Sequence, residues 1–426
     1  MLDIKLIREN PKIVKDNLEK RFLENQIHLV DNLIHYDQEW RKLKQEVDQL
    51  KHQRNELSEE INKLIKEDRK NLAEHKIFQV KDIPKKIKLL EDNQRILREK
   101  IISILTRLPN IIHKSVPKGK NASKNKVIRM FGKKPKFKFE LKSHGDLIET
   151  LNVADFKNAA EVSGSGFVYL KGKLALLDLA LMRFALDYLI KKGFTLVEPP
   201  LMLRSAPYKG VTDLDFFRDQ LYKIENEDLF LIATSEHPLV AMHMNKIFNE
   251  KDLPLKYIGI SPNFRKEIGS HGVDSRGLFR MHQFNKVEQV VFCKKEDSWK
   301  FLEEIQNNTE ILFKKLGIPF RVVNICSGEL GQIAAKRYDI EAWFPRENEY
   351  KEVTSASNCL SYQSVSLNIK YKDKERKEYA HTLNNTAIAT SRAMRVILEN
   401  YQQKDGSIKI PTALQKYTGF KKIEKE

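Results

Sequence analysis

Two apolar seams near the start constrain this chain more than any other feature. The first runs Trp40, Leu43, Val47, Leu50, Arg54, Leu57, Ile61 and Leu64, with spacings alternating between three and four. The second runs Ile83, Ile87, Leu90, Gln94, Leu97, Ile101, Ile104 and Leu108 in the same rhythm. That rhythm is the heptad seam of a coiled coil, and each copy has one polar intruder. Folding the chain back near residue 74 brings the seams together: Leu64 faces Ile83, Ile61 faces Ile87, Val47 faces Ile101 and Trp40 faces Leu108. Arg54 and Gln94 then share a layer, where the amide oxygen offers the guanidinium a local acceptor and the polar pair can fix register. Pro84 suits the first turn of the second helix. The paired part is expected to run roughly 37 Å by helix rise, with a tip at about 65–82. A hairpin that closes on itself has already used its seam, which favours a binding arm over a dimerisation coil. The expected division is an arm at 1–112 (coil about 30–108), a connector at 113–143 and a second body at 144–426.

A chain of 426 residues exceeds one core, and 41% apolar content can fill more than one. The net charge of +18 suggests a polyanionic partner. More than half of that excess lies in one stretch. Lys114 to Lys142 holds ten lysines and Arg129 against a single acid, Glu140. Such a run is ordinarily a solvated linker, but beside an arm it also suits a phosphate backbone. Cys293, Cys326 and Cys359 lie far apart, without metal spacing or a disulfide framework, which points to a reduced, cytoplasmic protein. The start, MLDIKLIRENP, has no apolar signal core, and no run is long enough to span a bilayer.

Residues 145–426 read as α+β: an antiparallel sheet with flanking helices, lacking the strand–helix alternation and glycine-rich phosphate loops of doubly wound folds. Within it, FRKEIGSHGVDSRGLFRMHQFNKVEQVVF gathers Arg265, Glu267, Arg276, Arg280, His282 and Glu288 beside Phe284, Val290 and Phe292. Period-two geometry puts Arg265 and Glu267 on one face, and Phe284, Lys286, Glu288, Val290 and Phe292 on one face of the returning strand. Unpaired charges make a poor core. Together they make a good floor for a ligand with phosphate, aromatic and ammonium parts, and a nucleotide plus an amino acid uses all three.

These residues also carry a resemblance. FRKE…RGLFRMHQFNKVE resembles motif 2 of class II aminoacyl-tRNA synthetases in its seryl form. GFTLVEPPLM resembles motif 1, TSE at Thr234, Ser235 and Glu236 resembles the serine-recognition triplet, and LNNTAIATSRAMRVILENYQ resembles motif 3 with Arg392. CSGELGQIAAKRYDIEAWFP and EVTSASNC resemble the segments between motifs 2 and 3. The resemblance covers nearly the whole chain, and it implies seryl-tRNA synthetase chemistry. Serine and ATP give seryl-adenylate and pyrophosphate, and the seryl group then passes to the terminal adenosine of tRNA(Ser). It leaves tRNA(Sec) open as a second acceptor, and it implies a homodimer built through motif 1 and an arm that grips the long variable stem.

The resemblance also assigns roles. Arg265 binds the α-phosphate, Glu267 the adenine amino group, and Phe284 stacks on the ring. Arg392 holds the γ-phosphate end. Lys266, Met281, His282, Gln283, Val353 and Thr354 complete the ATP site, and Glu352 and Ser355 hold Mg²⁺ with ATP. Thr234, Ser235, Glu236, Arg265, Glu288, Asn384 and Thr386 form the serine pocket. No general base is needed, because a carboxylate nucleophile is already ionised at neutral pH. No zinc-ligand set is evident, which argues against the zinc-dependent seryl type. Motif 3 departs from the glycine-rich bacterial form at Asn385, Ala387 and Ser391, as archaeal and eukaryotic forms do. Ser361, Val365 and Ser366 stand where many relatives carry an acid and an arginine pair. A carrier-loading relative is expected to lack the arm, and a non-catalytic paralogue is expected to have lost motif charges that this chain keeps.

Overall fold

The computed structural model describes residues 1–267, 277–374 and 376–425, apart from the side chains of residues 215 and 216. Arg276 lies outside the described residues. The chain forms two compact units, one of residues 2–19 and 23–109, the other of residue 1, residues 20–22 and residues 110–426.

The first unit is helical throughout. Helix α1 (Ile27–Lys66) runs for 40 residues, and α2 (Lys70–Val80) and α3 (Ile83–Arg107) return along it. Pro84 sits in the first turn of α3. At the base, Asp37 is buried and takes both Arg8 at 2.6 Å and Arg41 at 3.0 Å, so its charge is fully paired.

The antiparallel hairpin forms as expected, but its register does not. The chain reverses at residues 67–69, where Asp68 has φ +57, and not near 74. Lys51 pairs with Glu91 at 2.7 Å, Lys86 with Glu46 at 3.5 Å, Lys76 with Glu60, and the Lys100 ammonium lies 5.1 Å from the Tyr36 ring. The midpoints of these pairs fall between residues 66 and 71. Val47 is buried in a cluster with Ile83, Ile87 and Leu90, not against Ile101. The slide is about eleven residues, or three helical turns, which carries one apolar seam onto another stretch of itself. The segment read as a tip is mostly helix α2, already part of the returning leg. The Arg54–Gln94 layer is therefore not formed: Arg54 donates to Asn55 at 3.3 Å, and Gln94 buries its Nε2 without a partner.

The second unit is built on an eight-stranded sheet. Its strands are β1 (Lys126–Phe131), β2 (Thr195–Val197), β3 (Leu255–Phe264), β4 (Gln283–Cys293), β5 (Phe320–Asn324), β6 (Lys336–Phe344), β7 (Glu349–Leu360) and β8 (His381–Ala389). They lie in the order β1-β5-β6-β7-β8-β4-β3-β2, antiparallel except for β2 beside β3. Helices α4 (Gly172–Ile190), α5 (Ser298–Lys315) and α6 (Thr390–Tyr401) contribute to the larger core. α4 stops before Gly193, whose φ of +82 suits glycine.

Strand β4 shows how the sheet is read on both faces. Val287, Val291 and Cys293 enter the larger core, while Val290 and Phe292 enter a second cluster with Tyr208, Leu239 and Leu367. Phe284, Lys286 and Glu288 continue the second face toward the other end of the strand. The basic connector is not a separate body, since its central stretch is the edge strand β1, paired with β5 through a bulge between Val127 and Arg129.

Candidate active site

Along β4 the even-numbered face passes from core to cavity. Glu288 lies opposite Gly259 of β3 and Thr386 of β8, Lys286 opposite Ser261 and Ala389, and Phe284 opposite Asn263. Phe284 and Lys286 open into a cavity of about 270 Å³ whose wall also includes Arg265, Glu267, Met281, Glu352, Val353, Thr354, Ser355, Thr386 and Arg392. With Phe284, ten of the residues expected at the site thus meet around one space, from three stretches far apart in sequence.

The cavity is strongly charged. The Arg265 guanidinium lies 5.5 Å from the Phe284 ring centroid, and its Nε donates to the carbonyl of Ala233 at 3.2 Å. Arg392 reaches Glu352 at 3.1 Å and lies 5.3 Å from the Phe279 ring. Arg337 meets the other Glu352 oxygen at 3.1 Å and holds Asp339 in a fork at 2.6 and 2.7 Å. Burial lowers the Arg265 pKa, and repulsion from Arg392 adds to this. Burial raises the Glu352 carboxyl, but Arg337 and Arg392 outweigh it and hold the group below the usual range. Two arginines facing one space without a fixed carboxylate for each donor are arranged for a polyanion.

Beside the cavity lies a smaller, fully buried polar cluster. Lys286 pairs with Glu288 at 2.8 Å and donates to Thr234 Oγ1 at 3.0 Å. Thr386 donates to Glu288 at 3.0 Å. Glu236 accepts from Asn384 and from Gln363, each at 2.9 Å. Burial, with repulsion from Glu288 second, raises the Glu236 pKa to about 7. Thr234 also accepts from the Glu236 amide at 3.3 Å, just before the short helix Glu236–Ala241, while holding Lys286. Two buried carboxylates against one ammonium leave room for a second cation.

Several expected residues do not line the cavity. The Lys266 ammonium lies 5.7 Å from the Tyr222 ring. His282 hydrogen-bonds Tyr222, and its backbone is spent on Gly166 and Arg265. Gln283 is exposed and pairs with Phe264 in the ladder. Ser235 is buried with its hydroxyl unpartnered, against Gly259, where a Cβ would meet it at 2.5 Å. Glu267 lies just past β3 with φ +46, so it reaches the cavity through a turn and not through strand alternation.

Sequence reasoning missed Lys286, Phe279, Gln363 and Arg337. Strand alternation already placed Lys286 on the face of Phe284 and Glu288, and that was the available signal. No local pattern marked Arg337 or Gln363, which reach the site through the β6–β7 pairing and a helix after β7.

Comparison with known proteins agrees with this geometry. Residues 1–112 match the model of the seryl-tRNA synthetase N-terminal domain, and residues 220–401 that of the tRNA synthetase class II core domain (G, H, P, S and T). The serine–tRNA ligase of Methanoregula boonei is 53% identical over 420 residues, 98% of each chain. The Pyrococcus horikoshii seryl-tRNA synthetase crystallised with ATP superposes with a TM-score of 0.92 at 48% identity, covering 100% of both chains. The cytoplasmic serine–tRNA ligase of Naegleria fowleri, in complex with AMP, gives 0.87 at 36%, covering 100% of this chain and 99% of that one. Likeness at this level runs from the helical arm through the charged face of β4 to Arg392, and the chain belongs to the seryl-tRNA synthetase family.

Proposed function

We propose that this protein activates L-serine with ATP and transfers it to tRNA(Ser), using the cavity for the nucleotide and the buried cluster beside it for the amino acid. The observation that carries this reading is their junction: Lys286 and Thr386 wall the cavity and also bond into the cluster of Thr234 and Glu288. A carboxylate bound there, next to an α-phosphate at Arg265, is placed for in-line attack. One serine carboxylate oxygen bonds to the α-phosphorus as its bond to the bridging oxygen breaks, and pyrophosphate leaves with that electron pair. Arg265 and Arg392 stabilise the charge on the phosphoryl oxygens. In the second step a hydroxyl of the terminal adenosine attacks the seryl carbonyl, the bond from that carbon to the phosphate oxygen breaks, and AMP leaves with the electron pair as its phosphate takes up the hydroxyl proton.

Glu352 and Ser355 offer oxygen ligands only, and among the described residues no group of three or more His, Cys, Asp or Glu is placed to hold a metal ion. That donor set fits Mg²⁺ arriving on the triphosphate, which supplies most of its ligands. Glu236 and Glu288 face the substrate ammonium, and Asn384 and Thr386 complete a polar pocket. Such a pocket rejects alanine because its buried groups lose a partner. The arm takes the tRNA variable stem by shape and backbone. Leu196 and Met202 in the motif 1 segment, with Leu176 and Leu179 on α4 before it, expose large apolar side chains, which supports a homodimer through that region. No helix among the described residues is long and apolar enough to cross a membrane, and a cytoplasmic location suits the substrates.

The test is amino-acid-dependent ATP–pyrophosphate exchange across all twenty amino acids, followed by charging of tRNA(Ser). Exchange with serine alone and stable charging is the expected result. Exchange with a different amino acid, or none from folded protein, overturns the reading.

A further inference from the structure

The basic connector is fastened to the rest of the catalytic unit from Gly119 to Phe131 and again at Lys142. Gly328 donates to the Gly119 carbonyl at 2.8 Å, the Cys326 amide donates to Asn125 at 2.8 Å, and β1 pairs with β5. The Phe131 ring packs 5.4 Å from Phe320, and Lys142 exchanges two hydrogen bonds with Gln402. On this fixed frame stand ten lysines, all exposed, and none forms an ion pair among the described residues. Arg129 is the contrast: it pairs with Glu310 at 2.8 Å and Glu303 at 3.6 Å and belongs to the structure. The 29 residues from Lys114 to Lys142 carry +10, and the other 397 together carry +8.

Holding like charges on a fixed frame opposes folding, and screening over about 8–10 Å weakens this without removing it. A lysine on an edge strand guards against edge-to-edge pairing, which accounts for Lys126. It does not account for Lys133, Lys136 and Lys138, which follow the strand. Protein interfaces are depleted in lysine at their cores, whereas point charges that release counterions suit a nucleic-acid backbone.

We propose that the connector face is a second docking surface for tRNA, contacting the phosphates of a stem without reading bases. The proposal rests on the charging activity above and adds a surface on the catalytic unit to the one on the arm.

The experiment compares full-length protein with the variant K126Q/K133Q/K136Q/K138Q. Among the described residues the four side chains form no ion pair or side-chain hydrogen bond, so the fold should stand. Serine-dependent pyrophosphate exchange is expected unchanged, with the KM for tRNA raised about tenfold. The log–log salt slope of tRNA binding is expected to become shallower by about 3.6 if all four contact phosphates, given ~0.9 per phosphate contact. A control, K251Q/K315Q/K377Q/K409Q, removes the same charge from exposed positions elsewhere and is expected to leave the slope near its original value. An unchanged slope in the connector variant, or an equal loss in the control, overturns the proposal. Failure of the unaltered protein to charge tRNA would instead overturn the ligase reading, and this proposal with it.

Discussion

The arm and the catalytic unit hold their information in different ways. The arm is repetitive: its seam recurs every seven residues, and sliding one helix by three turns exchanges apolar residues for apolar residues. The catalytic unit is not. A one-residue slip of β4 would turn Lys286 and Glu288 into the core and bring Val287 to the cavity. The arm leaves the Gln94 amide nitrogen unpartnered, and the site leaves the Ser235 hydroxyl so, but Lys286, Glu288, Glu236 and Thr386 are each bonded to a named neighbour. A surface that reads shape needs length and stiffness, while a surface that performs chemistry needs specific atoms in place.

The largest expected effect lies at the site. Arg265→Ala should reduce serine-dependent exchange by about 10³-fold or more, the scale for removing a preorganised charge stabiliser, while leaving the protein folded. Near-normal exchange would break the assignment of the cavity. Next, replacing residues 30–108 by a short linker should leave exchange intact and weaken tRNA charging by on the order of 10²-fold, as expected when one of two linked binding surfaces is lost. Equal loss of both activities would erase the contrast between the two regions.

A smaller effect follows from Glu236. Its pKa is raised to about 7 by burial and by Glu288, so the carboxyl is increasingly protonated as pH falls through that value. A neutral Glu236 holds an ammonium far more weakly, and the KM for serine should therefore rise about tenfold between pH 8 and pH 6, with most of the rise below pH 7. A flat profile would place the serine ammonium elsewhere. The smallest effect belongs to the arm. Gln94→Leu removes a buried, unpartnered amide and should raise arm stability by about 1 kcal/mol, read as a shift in chemical denaturation with exchange unaffected. Destabilisation would mean that Gln94 has a partner and would favour the register in which it meets Arg54.

Much of this was legible before any fold was known. The helices of the arm, Pro84 in a first turn, Gly193 as a helix stop and the shared face of Phe284, Lys286 and Glu288 all follow from periodicity within short windows. The turn at residues 67–69 was less visible, because LIKEDRKNLAEHK keeps helix-forming residues across the reversal and lacks glycine or proline to mark it. Lys266, His282 and Gln283 sit inside the motif, yet the ladder and Tyr222 claim them. Adjacency in sequence did not imply adjacency to the cavity.

The sequence by itself determined which segments are helix or strand, where uncompensated charge is concentrated and which family motifs occur in order. These are local properties, set by side-chain period and composition. Only the tertiary structure decided the arm's register, the meeting of Glu236 with Gln363 and Asn384, and the clasp of Arg337 and Arg392 on Glu352. Those contacts join residues 15 to 148 positions apart or choose among equivalent repeats. Neither is encoded in any window shorter than the fold, because each exists only once the sheet has brought distant strands side by side.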